Sequence, residues 1–145
     1  MTSQPTFSDI LDATIRAWQG RISDECLFSL ALPIHNVDPL QNLSVIAKDQ
    51  QFSFLWDDSP GIRIAAAGRC EHLDLCGPKR FELAQRFSDA VLGRLINVTP
   101  YAEAQFLPRV LFAFSFFDQS SERTVDLELP PAAQAVLPRW QLTSQ

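Results

Sequence analysis

The chain has 145 residues, 46% of them hydrophobic and 20% charged, and a formal net charge of −5 at pH 7. That length suits one domain with a core that needs no disulfide or metal staple. The acidic balance and scattered arginines exclude a nucleic-acid groove. The absence of a basic flank with an apolar core excludes a signal peptide, and no apolar run reaches membrane-span length, so the chain reads as cytoplasmic.

Thr6-Phe7-Ser8-Asp9 has the form of a capping box. Ile10, Leu11, Thr14, Ile15 and Trp18 then recur at helical spacing until Gly20, which predicts a first helix over residues 7 to 19. From Cys26 the period changes to two, with Cys26, Phe28, Leu30 and Leu32 on one face, a strand that ends at Pro33. Asn36-Val37-Asp38-Pro39 carries turn chemistry, and Leu40, Leu43 and Ala47 line one side of a short helix before Asp49.

Residues 51 to 56 and 62 to 67 flank Asp57-Asp58-Ser59-Pro60-Gly61 and predict an antiparallel hairpin. Gly68 interrupts, and Cys70 to Leu75 continue the sheet up to Gly77-Pro78. Residues 79 to 96 form the clearest helix, with Phe81, Ala84, Phe87, Val91 and Leu95 as its apolar stripe and Glu82 four residues before Arg86; Pro100 closes its exit.

Val110 to Phe117 alternates two faces that are both largely apolar, which predicts a central strand covered on both sides, one of them by helix 79 to 96. On that reading Phe114→Ala costs about 3–5 kcal/mol. Thr124 to Leu129 and Ala135 to Leu142 are further strand-like runs, the latter expected to carry an apolar patch or an unpaired edge. The fold class is α+β, a mainly antiparallel sheet covered by helices, in one domain over residues 1 to 145.

No residue is assigned a catalytic, cofactor-binding or metal-binding role. Cys70, His72 and Cys76 lack the spacing of a structural zinc site, and Cys26, Cys70 and Cys76 read as small hydrophobes in a reducing compartment. Gly77-Pro78-Lys79 lacks the first glycine of a phosphate loop, and Pro78 removes a backbone donor. His35 reads as a solvated turn residue, Asp57-Asp58 as turn chemistry, Asn97-Val98-Thr99 as a loop, and Trp18, Trp56 and Trp140 as core. Lys48 and Lys79 sit in polar surroundings that would not lower a lysine pKa. Glu25, Glu71, Glu82, Glu103, Glu122 and Glu128 stand singly, with no pair at helical spacing.

In order and spacing, the patches FSLALPIHNVDPL, FSFLWDDSPGIRIAAAGRCEHLDL, GPKRFELAQRF, PRVLFAFSFFD and LPPAAQAVLPRW resemble the N-terminal part of the isochorismate synthases, within the chorismate-utilising enzymes. The correspondence covers roughly residues 25 to 142 and includes an Arg-Phe pair opening a helix, here Arg80-Phe81, and a strand ending in Phe-Asp, here Phe117-Asp118. Where the family often has paired glycines this chain has Ala113 and Phe114, so a close backbone approach there is not carried over.

The resemblance implies an N-terminal fragment whose partner is the C-terminal catalytic region of the same polypeptide. That region would hold chorismate and Mg²⁺, leaving no cofactor in this part. The acidic balance and the lack of a membrane-length apolar run point to no nucleic-acid or membrane partner, while exposed apolar surface leaves room for a homo-oligomer. The Leu-Glu-Ser feedback motif of the anthranilate synthases is absent, Glu128 lying in Leu-Glu-Leu instead. A stand-alone non-catalytic interaction protein with the same fold, or the N-terminal part of another chorismate-utilising enzyme, are the alternatives.

Overall fold

The computed structural model describes residues 6–19, 25–98, 107–116 and 131–145. The readings made for Gly20, Pro100, Phe117-Asp118, Thr124 to Leu129, Glu103, Glu122 and Glu128 lie outside them.

Helix α1 (Phe7–Trp18) starts at the predicted capping box. The Thr6 hydroxyl accepts from the Asp9 backbone at 3.3 Å, and the Asp9 carboxylate accepts from the Thr6 backbone at 2.8 Å. These bonds satisfy amides that a helix start leaves without intrahelical acceptors. The Thr6 hydroxyl, which also donates to the Asp9 carboxylate at 2.7 Å, and the Thr6 backbone amide hold that carboxyl below its ordinary 3.8. The predicted apolar stripe is narrower than its sequence: Ile10, Thr14 and Trp18 are half-buried, while Leu11 and Ile15 are exposed. The Trp18 ring meets Phe28 edge-on at 6.0 Å between centroids.

That contact ties α1 to strand β1 (Leu27–Ser29), which is shorter than the run from Cys26 to Leu32 suggests. Helix α2 (Pro39–Ile46) has Asp38 as its cap, accepting from the Leu40 backbone at 2.9 Å, and a buried Pro39 at a first-turn position where no amide is needed. Asp49 adopts a left-handed φ of 61° shortly after it, a conformation Asp tolerates better than most residues.

Strands β2 (Ser53–Asp57) and β3 (Arg63–Leu75) form the predicted antiparallel hairpin, with Leu55 opposite Ala65. Gly68 does not end β3 but bends it, at a φ of +72° that disfavours any residue with a Cβ, and the register slips by one residue between Arg69 and Glu71. Helix α3 (Arg80–Arg94) follows, and Leu95 and Ile96, predicted as its last turn, leave it for strand β4 (Leu95–Asn97). There they pair in parallel with Leu27 and Phe28 of β1.

Strands β5 (Leu111–Phe114) and β6 (Ala133–Ser144) complete a four-stranded antiparallel sheet of order β2-β3-β6-β5. Its inner pair carries the core: Ile64, Ala65, Ala66 and Ala67 on β3 and Ala133, Ala135, Val136 and Leu137 on β6 are buried. Small side chains here let neighbouring elements approach closely, and α3 contributes Ala84, Ser88 and Val91 at helical spacing. The mainly antiparallel α+β class is as expected.

The placement of the aromatic strand is not. Among the described residues β5 lies at the end of the sheet and pairs with β6 alone, and the exposure of its rings overturns a strand covered on both faces. Phe112 is 39% exposed, Phe114 41% and Phe116 92%. The proposed helix does cover part of it: the Phe81 ring lies 4.6 Å from that of Phe114, which is 6.0 Å from Phe112. Phe114→Ala therefore removes a half-covered ring and should cost about 2 kcal/mol, less than the 3–5 kcal/mol of a buried phenylalanine. A double-mutant cycle with Phe81→Ala should return a coupling of about 0.5–1.5 kcal/mol. Denaturant titrations showing no coupling would remove the ring contact.

The register leaves β6 asymmetric. Ala133 to Val136 pair on both sides, whereas Leu137 onward pairs with β3 but with no described strand on the other side. There the Gln141 side chain donates from Nε2 to the Leu107 carbonyl at 3.3 Å.

Candidate functional site

Two concave features stand out among the described residues. An open groove of about 600 Å³ lies between α1 and the end of β4, with Ile10, Ala13, Ala17 and Trp18 on the helix and Asn97 and Val98 facing them. Its acid, Asp9, is committed to the cap at Thr6, and the Thr14 hydroxyl donates to the Ile10 carbonyl at 2.8 Å. A crevice of about 20 Å³ opens between β2 and β5, where Phe52, Phe54, Leu111 and Val136 give it an apolar lining with Gln134 as its polar group. Neither brings an acid and a base together, as paired general acid–base chemistry needs.

Several charged residues serve the scaffold. Arg63, which opens β3, donates from Nε to Asp57 across the hairpin at 2.9 Å and lies 3.8 Å from Asp38, the cap of α2. One guanidinium thus fastens a helix start to both strands of a hairpin, and the Asp57 reading as turn chemistry becomes a cross-strand ion pair. Opposite charges directly flanking a hairpin turn are the sequence signal that would have found it.

Arg80, at the opening of α3, is 8% exposed; it donates from Nη1 to the Gly77 carbonyl at 3.3 Å and places its Cζ 4.5 Å from the Phe81 ring centre. The predicted Arg-Phe pair is thus a stacked one, a geometry the planar guanidinium favours. At the other end of α3, Arg94 lies 3.6 Å from Glu71 and donates to the Glu25 carbonyl at 3.2 Å.

Cys70 sits at the register slip beside these groups. Partial burial pushes its thiol up from an ordinary 9.0, Glu71 pushes the same way, and Arg139 and Arg94 pull back. The fold holds that proton more tightly than the unfolded chain, so the stability this group lends is full below 9.0 and is lost as pH rises through the raised value. Alkylation of Cys70 by iodoacetamide should accordingly accelerate with a midpoint above 9.0, and Glu71→Gln should shift that midpoint down. A midpoint at or below 9.0, read by mass spectrometry, would count against this environment.

Lys48, Lys79, His35 and Glu25 are exposed, and Glu82 pairs with Arg86 on the outer face of α3. Cys70 is only partly covered, Cys76 is exposed and Cys26 is half-buried. Trp56 at 54% and Trp140 at 46% exposure are not core either, because both lie on strand stretches whose faces are only partly covered. Among the described residues no group of three or more His, Cys, Asp and Glu side chains is placed to hold a metal ion.

The family model for chorismate binding enzymes matches residues 13–145. The chain belongs to that family. The match runs from the middle of α1 through the hairpin, α3 and both strands of the β5–β6 pair, so every element of the larger sheet is family fold. No curated protein and no solved structure matches the chain.

Proposed function

We propose that this chain is the N-terminal scaffold of an isochorismate synthase, which moves a hydroxyl from C4 to C2 of chorismate with water and Mg²⁺. The observation that carries the reading is the family match over residues 13–145, and the order of the sequence patches favours this member of the family. The catalytic region of the same polypeptide would be its partner, packed against the sheet and holding chorismate and Mg²⁺. Menaquinone, phylloquinone or siderophore synthesis would consume the product, in the cytoplasm. Among the described residues no helix is long and apolar enough to cross a membrane.

Isochorismate formation needs a base to activate water at C2, an acid to assist departure of the C4 hydroxyl, and carboxylates that hold Mg²⁺ against the substrate. Lys48 and Lys79 are exposed and line neither concave feature, and the described glutamates serve other contacts or stand alone.

The purified 145-residue chain should therefore leave chorismate unconverted under saturating Mg²⁺, with a longer polypeptide carrying the catalytic region as the active control. Isochorismate is read by chromatography. Turnover by the chain alone, abolished by Lys48→Ala or Lys79→Ala, would overturn the scaffold reading. An inactive longer polypeptide would favour a non-catalytic interaction protein, and a different product from it would favour another chorismate-utilising enzyme.

A further inference from the structure

We draw no further inference here: the strongest candidate, the half-exposed aromatic row of Phe81, Phe112 and Phe114 where α3 meets the end strand β5, carries nothing because nothing in the structure shows what covers it.

Discussion

Val91→Asp is expected to leave the chain unfolded, while Val91→Ala should weaken it by about 2–3 kcal/mol. Val91 is 1% exposed on the face of α3 that also buries Ala84 and Ser88 against the inner strands. A carboxylate there loses its water and needs a partner to compensate. The cation one turn away, Arg94, is already engaged by Glu71 at 3.6 Å and by the Glu25 carbonyl at 3.2 Å. A penalty of several kcal/mol is a large share of the roughly 5–15 kcal/mol that holds a domain together. The aspartate escapes the penalty by taking a proton, so its folded pKa would rise. The destabilisation should then ease as pH falls below that raised value and be least below about pH 4, where the unfolded chain is protonated too. Far-UV circular dichroism and urea titration across pH read both effects. A Val91→Asp chain with the parent's midpoint at neutral pH would place this face of α3 outside the core.

What the sequence discloses of this fold is what neighbouring residues decide. The capping box at Thr6 and Asp9, the hairpin of β2 and β3 and most of α3 are set by contacts over a few positions, and each is found where periodicity and turn residues put it. Strand order is decided by distant residues. Val110 to Phe117 shows two apolar faces, but alternation reports only what each face carries and not how many neighbours the strand has; β5 has one described neighbour. Leu95 and Ile96 fit the helical stripe of α3 equally well, and what takes them into β4 is a partner strand, β1, far earlier in the chain. The aromatic side chains follow the same logic, since Trp56 and Trp140 have core-like chemistry yet lie half-exposed. For the site, the reading rests on a family whose members are recognised by the order of several weak patches. Arg63 joining Asp57 and Asp38 shows that charges in this scaffold can be committed to architecture. Individual glutamates and lysines consequently carried little functional signal.

Gly68→Val should cost about 2–5 kcal/mol, the sum of backbone strain and crowding at one position. Its φ of +72° is left-handed, where a β-branched side chain is a genuine outlier. A Cβ there would stand 2.5 Å from the Gln50 side-chain oxygen and 3.1 Å from the Arg139 Cβ. The Gln50 tip can swing aside, but the Arg139 Cβ is fixed by β6 and must be pushed away, opening the seam between the two inner strands. The Gly68 amide also donates to the Phe52 carbonyl at 2.9 Å, so relaxing the strain by rotating the backbone would break a bond that seats the start of the hairpin. Gly77→Ala is the control: its φ of +89° is strained in the same sense, but a Cβ there meets nothing within 4 Å, and about 1–2 kcal/mol is expected. The excess of the first loss over the second therefore reports the crowding at the bend in β3, and Gly68→Ala should fall between them. Urea titrations of the three variants give the ordering. A Gly68→Val loss no larger than that of Gly77→Ala would mean that β3 can straighten at this point, and that the bend is not what sets the register of its far half against β6.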